Sequence, residues 1–150
     1  VEKMFGIHST DEKIQSALAL KDQHIPKYLY KYRAIDDYDY LKGNMLALYK
    51  QLRKRICNLD SSVREEFKQN YIAFKIITNF VDIVPQKSRL RLTLNMAFSE
   101  VHDPKGICKD VTDLGRWGNG DIEVSISSND QIDDIMFLIG QSFDKHRGEE

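Results

Sequence analysis

The chain has 150 residues, of which 41% are hydrophobic and 30% are charged, and its formal net charge is −1. These values are ordinary for a soluble globular chain, and the length fits one domain or one domain with an appendage. No apolar run approaches the roughly 20 residues of a transmembrane helix, and the polar, charged start predicts no secretory signal. The only two cysteines, Cys57 and Cys108, form no CxxC pair, which favours a reducing, cytoplasmic location.

Residues 1–35 show no strong hydrophobic period, and we predict that they form an N-terminal extension or the remnant of a linker. Residues 36–150 carry all the strong patterns and are predicted to form a single domain. Because the sequence starts at Val1 and not at a methionine, we expect it to be a piece of a larger protein.

Two amphipathic helices are predicted, one at each end of this domain. The first covers Leu41–Ile56, where apolar side chains recur every three or four residues, and Asp36 and Asp37 before it are suited to capping. The second covers Ile132–Phe143 and has the same period.

Between the helices, short β-branched and aromatic segments predict strands at Tyr71–Ile77, Phe80–Val84, Ser88–Asn95 and Asp121–Ser127. Short connections between successive strands favour antiparallel pairing. We therefore predict a two-layer α+β domain, in which an antiparallel sheet of four to five strands carries the two main helices on one face.

The segment after Pro85 alternates strictly between basic and apolar residues. Because side chains of a strand alternate between its faces, Leu90, Leu92 and Leu94 are expected to be buried under the helices. The opposite face then carries a basic stripe, spaced by about 6–7 Å, which we expect to be exposed. Its members are Lys87, Arg89 and Arg91.

The basic stripe has two interpretations. Residues 50–91 hold ten basic and four acidic side chains, a local excess that is typical of a surface that binds polyanions. Residues 100–150, however, hold five basic and twelve acidic side chains, so the two blocks can instead neutralise each other. In that case the arginines pair across strands with Asp121, Glu123 or Asp82.

The loop Gly115–Asp121 contains three glycines and the only tryptophan of the chain. It has neither the GxGxxG nor the GxxxxGK pattern and leads into a strand, so it does not predict a phosphate site at a helix N-terminus. The simpler interpretation is that Trp117 covers the edge of the core, near Phe98 or Leu114. The functional interpretation is that Trp117 stacks on a base beside Arg116.

No residue set in the sequence specifies a reaction. The four histidines share no ligand spacing, the acidic residues around the glycine loop are typical of turns, and no nucleophile stands beside a base. We therefore predict no catalytic residue, no metal site and no cofactor.

Four segments resemble a prokaryotic family of unknown function that often carries the label "predicted transport protein". They are YIAFK, NFVDIVPQKSRLRLTLN, DPKGICKDVTDLGRWGNGD and IDDIMFLIGQSF. The resemblance implies a module at the C-terminus of larger proteins, whose other parts are nuclease-like or belong to DNA restriction and modification. It gives no physical support to transport, because no segment is suited to span a membrane.

Together these features predict a non-enzymatic module that binds DNA or RNA through a basic sheet face, with Lys87, Arg89, Arg91, Arg116 and Trp117 as the contact residues. Two alternatives stay open. One is a protein–protein contact or homodimer through the same face, and the other is a pocket near Trp117 that recognises a small ligand or a modified base.

Overall fold

The computed structural model of the protein describes residues 34–114 and 120–148. The predicted extension at residues 1–35 lies almost entirely outside these ranges. The helices and strands, in chain order, are α1 (Gly43–Cys57), β1 (Arg64–Phe67), β2 (Ile72–Lys75), β3 (Asn79–Pro85), β4 (Leu90–Leu94), β5 (Lys109–Asp110), β6 (Ile122–Ile126) and α2 (Ile132–Arg147).

The strands form one antiparallel sheet of six strands in the order β1-β2-β3-β4-β6-β5. The α+β class and the antiparallel pairing are confirmed, but the predicted number of four to five strands is too low. The two strands that the sequence patterns miss are the edge strands β1 and β5. One is the charged segment REEF and the other has two residues, so neither is long or apolar enough to show strand alternation.

Both helices place their apolar stripes against the same face of the sheet. The ring of Tyr49 in α1 lies 6.4 Å from that of Phe74 in β2, and the ring of Phe143 in α2 lies 5.4 Å from that of Phe80. Contrary to the predicted start at Leu41, α1 begins at Gly43, and a separate 3-10 turn occupies residues 35–37. The expected burial under the helices is confirmed for the leucines of β4, which are Leu90, Leu92 and Leu94.

A β-bulge between β2 and β3 brings one additional aromatic ring into this core. Phe74 pairs with Val81, but the next residue, Lys75, pairs with Asn79, so Phe80 is the extra residue. Both Phe80 and Val81 are fully buried in the same apolar cluster, although successive strand residues normally face opposite sides.

The return of the chain to β6 requires a glycine at position 120. Gly120 has a φ of +114°, and a Cβ atom there would lie 2.1 Å from the carbonyl oxygen of Leu94. The chain therefore approaches the end of β4 closely before it enters β6. Within the two described ranges, no helix is long and apolar enough to cross a membrane.

Candidate functional site

The second face of the sheet lies opposite the two helices, and we call it the open face because neither α1 nor α2 packs on it. Its side chains are mostly polar where those of the helix face are apolar, because the faces alternate along each strand. Ala73, Asp82 and Thr93 on this face are nevertheless almost fully buried. One row of paired residues crosses all six strands on this face, and it consists of Glu66, Ala73, Asp82, Thr93, Glu123 and Lys109.

The three residues of the predicted basic stripe differ in their exposure. Lys87 is exposed in the connection between β3 and β4, as expected, but Arg89 and Arg91 are only partly exposed. The prediction of an exposed stripe is therefore wrong for both arginines. The physical reason is that the neighbouring strand β6 and the β3–β4 connection supply groups that cover and bind them.

Arg89 is held by hydrogen bonds within the chain. Its Nε donates to Oε1 of Gln86 over 2.6 Å, and its Nη1 donates to Oγ of Ser125 over 3.0 Å. Both acceptors are neutral, so the positive charge of Arg89 is oriented by them and not neutralised.

Arg91 has a weaker set of partners. Its Nη1 lies 3.9 Å from Oε1 of Glu123, a distance beyond that of a hydrogen bond, and the two side chains are 18% and 15% exposed. The Nε of Arg91 is buried and has no hydrogen-bond partner, and the same is true of Oγ1 of Thr93, two residues further on the same face. Such orphaned buried groups are uncommon in native proteins, where nearly all are paired.

Asp82 lies on the other side of Thr93 and is fully buried. Its Oδ1 accepts a hydrogen bond of 3.0 Å from Nδ2 of Asn79. The backbone oxygen of Asn79 accepts one from Nδ2 of Asn95, whose own backbone oxygen lies 2.7 Å from Nε2 of His146 in α2. Since a carbonyl oxygen only accepts, this Nε2 carries a proton, and a continuous polar path joins α2 to the open face.

Two lysines at the other end of the sheet are paired with Glu66 of β1. Glu66 lies 3.2 Å from Nζ of Lys68 and 3.5 Å from Nζ of Lys75. Burial alone would raise the pKa of Glu66, but the hydrogen bond and charge of Lys68, with Lys75 beside it, hold that pKa below its usual value. The open face is therefore a mixture of both charges and not a uniformly basic surface.

Two of the predicted contact residues, Arg116 and Trp117, lie outside the described residues, as does the predicted packing of the indole near Phe98 or Leu114. Sequence reasoning did not select Thr93, Asp82 or Asn79 as site residues. The alternation along β4 does place Thr93 beside Arg91, so that signal was present. The position of Asn79 depends on the bulge at Phe80, which no local pattern indicates.

Acid–base and metal chemistry have few candidate groups in the described parts of the chain. No cluster of three or more histidine, cysteine, aspartate or glutamate side chains that could hold a metal ion occurs in them. Burial raises the pKa of Cys57, and burial together with Asp103 raises that of Cys108 to about 12. Both thiols are therefore disfavoured as thiolate nucleophiles at neutral pH.

A family model and a similar protein match this chain. The model of the family described as "Domain of unknown function (DUF5655)" matches residues 36–146. A protein of Haemophilus influenzae, described as uncharacterized, is 39% identical over 95 residues, which are 63% of this chain and 32% of that protein. The chain thus spans about a third of the length of this relative. No solved structure matches the chain.

Proposed function

The chain belongs to this family of domains of unknown function, and we propose that it is a non-catalytic binding module of a larger nuclease-like or restriction-related protein. In this proposal the open face contacts nucleic acid. The observation that carries it is Arg91, a partly exposed side chain whose Nη1 lies 3.9 Å from its nearest carboxylate oxygen, on Glu123. A guanidinium without a close carboxylate partner is suited to phosphate oxygens, because its planar group donates parallel hydrogen bonds.

The neighbours of Arg91 support a contact with a polyanion. Lys87 is exposed in the connection that leads into β4, and Arg89 is oriented on the open face by two neutral acceptors. Neither has a carboxylate partner among the described ion pairs. Contacts of this kind with the phosphate backbone supply most of the non-specific affinity for nucleic acid.

Two observations support a role as a part of something larger. The relative from Haemophilus influenzae is about three times as long as the matched segment, so it has room for further domains. The resemblance to modules of nuclease-like and restriction-related proteins supplies the class of those domains. The free cysteines fit a cytoplasmic location for such a protein.

The test is a salt titration of binding to short DNA and RNA duplexes and single strands. Replacing Arg89 and Arg91 together by alanine should weaken binding to all sequences to a similar degree. It should also reduce the slope of log affinity against log salt by up to about two units, because two phosphate contacts are lost.

A matched control is the pair Lys50→Ala and Arg55→Ala, which removes the same charge from exposed positions on α1. This pair should leave the slope nearly unchanged. Binding that ignores salt, or an equal effect of both pairs of substitutions, would contradict a contact through the open face.

A protein–protein contact is the second candidate, and the mixed charge of the open face favours it. Glu66 and Glu123 stand in one row with Lys109, so a partner with a complementary row, such as a second copy of the chain, would pair with it. Light scattering across a range of concentrations tests this function. A dimer that Glu123→Lys dissociates would support it, and a monomer at all concentrations would oppose self-association.

A further inference from the structure

The side of α2 that faces away from the sheet carries a stripe of residues at helical spacing, which we call the outer stripe. Its members are Asp133, Phe137, Gly140 and Asp144. We propose that the outer stripe is the contact surface of a homodimer, in which the α2 helices of two copies pack antiparallel about a two-fold axis. This inference goes beyond the proposed function and does not depend on it, because α2 and the open face lie on opposite sides of the sheet.

The fold fixes both borders of the outer stripe. On one side, Nη1 of Arg55 in α1 lies 3.0 Å from Oδ1 of Asp133. On the other side, the connection between β4 and β5 runs along α2 and is fastened to it at three points. These contacts are Lys105 with Asp134, His102 with Gln141 and Glu100 with Lys145. The middle of the stripe lies between these borders and is open to solvent.

An aromatic ring stands at the centre of the stripe. Phe137 is 49% exposed, whereas Phe143, the other phenylalanine of α2, is 4% exposed. The ring of His102 packs edge-on against Phe137, with the two centroids 5.8 Å apart, and so holds it in position. A half-exposed ring that is already held in position loses little conformational entropy when a protein surface covers it. Aromatic residues of this kind dominate the energy of many protein–protein contacts.

A glycine lies beside Phe137, three residues further along the helix. Glycine inside a helix is destabilising relative to alanine, and Gly140 has no positive φ that would require it. A Cβ atom at this position would have no described atom of the surrounding fold within 4 Å. The single chain therefore gives no packing reason for a glycine. A second helix at close range does give one, and the ring of Phe137 from a second copy would fill the space.

The charges at the ends of the stripe select a second copy as the occupant. When Phe137 of one copy lies over Gly140 of the other, the two-fold axis places Asp133 opposite Asp144 of the second copy. Each carboxylate has an arginine beside it, with Arg55 at 3.0 Å from Asp133 and Arg147 at 3.3 Å from Asp144. Each end of the contact therefore brings two carboxylates and two guanidinium groups together without net charge. Such complementarity fixes the register of the two helices.

The length of α2 sets the expected affinity. The helix has 16 residues and is about 24 Å long, so a contact along it is at the small end of specific interfaces. We therefore expect a weak dimer with a Kd of about 10–100 µM. Both open faces point outwards in this dimer and stay accessible.

The test is analytical ultracentrifugation from about 5 µM to about 1 mM, with NMR shifts recorded over the same range. The parent should show a monomer–dimer equilibrium, and the shifts that change with concentration should lie on the outer stripe and its borders. Phe137→Ala should raise the dimer Kd by about tenfold or more, as truncation of a central aromatic residue does.

Gly140→Gln separates loss of contact from loss of folding. Glutamine fills the space at this position and should raise the dimer Kd by about tenfold or more. It is also a better helix former than glycine, so the melting temperature of the dilute, monomeric protein should rise. A variant that melts higher and dimerises less has lost the contact and not the fold.

Ile77→Ala is the matched control, since Ile77 is 51% exposed and lies between β2 and β3, away from α2. It should leave the dimer Kd unchanged, and so should Glu123→Lys on the open face. The inference is overturned if the parent stays monomeric up to the highest concentration, or if Phe137→Ala and Gly140→Gln dimerise as the parent does. Dissociation by Glu123→Lys would also overturn it, because the contact would then lie on the open face. The salt titration with nucleic acid tests the proposed function separately, and Phe137→Ala should leave its slope unchanged.

Discussion

The two faces of the sheet differ most clearly at Leu92 and Thr93, which are successive residues of β4 and are both almost fully buried. Leu92 lies in the apolar cluster beneath the helices, whereas Thr93 lies on the open face with an unpaired hydroxyl. The same degree of burial therefore has opposite effects on stability on the two faces. On one it removes apolar surface from water, and on the other it leaves a polar group without a partner.

The largest expected effect is the loss of packing on the helix face. Leu92→Ala should lower the free energy of unfolding by about 2–5 kcal/mol, because it removes a fully buried side chain and leaves a cavity. Urea denaturation monitored by circular dichroism measures the change.

Thr93→Val is the matched substitution on the open face and should leave the free energy of unfolding unchanged or raise it by about 1 kcal/mol. The reason is that valine has nearly the same shape as threonine and replaces the buried, unpaired hydroxyl by a methyl group. A loss as large as that of Leu92→Ala would show that this hydroxyl has a hydrogen-bond partner in solution, and the contrast between the faces would fail.

An intermediate effect is expected where the polar path enters the open face. Asn79→Ala removes the hydrogen bond from Nδ2 to the buried carboxylate of Asp82 and should lower the free energy of unfolding by about 1.5–3 kcal/mol. Ser62→Ala removes a similar bond, from Ser62 to the exposed carboxylate of Asp60, and should change it by about 0.5 kcal/mol or less. Equal effects of the two substitutions would indicate that the open face is as well solvated as the surface.

The sequence predicts the helix face well and the open face poorly, for a physical reason. Apolar burial is periodic, so the alternation of Leu90, Leu92 and Leu94 identifies their side of the sheet without knowledge of the neighbours. Polar pairing depends on which strands are adjacent. The contact of Arg91 with Glu123 requires β6 to lie beside β4, and β5 separates them in the chain.

The same reasoning explains why the predicted exposure of Arg89 and Arg91 was wrong. The alternation of β4 correctly places both arginines on the face opposite the helices. It does not show which side chains of adjacent strands and connections lie beside them. The acceptor Gln86 lies in the β3–β4 connection, 3 residues from Arg89. The acceptor Ser125 lies in β6, 36 residues from Arg89. A prediction of exposure from one strand alone therefore overestimated the free charge of this face.

The smallest expected effect concerns pH and separates the two faces by their response to acid. Glu66 on the open face has a lowered pKa, so its pairs with Lys68 and Lys75 stabilise the folded state above the ordinary glutamate pKa of about 4.3. This contribution should be lost as the pH falls through the lower, folded value. Glu66→Gln should therefore flatten the acid limb of the plot of unfolding free energy against pH, by a few tenths of a kcal/mol because the pairs are partly exposed.

Leu92→Ala, in contrast, should lower the unfolding free energy by the same amount at every pH. The reason is that the apolar packing that it removes does not depend on the protonation of any group. Denaturation at a series of pH values from 3 to about 7 compares the three proteins. If Glu66→Gln kept the acid slope of the parent, or if Leu92→Ala altered that slope, the pH response could not be assigned to the open face.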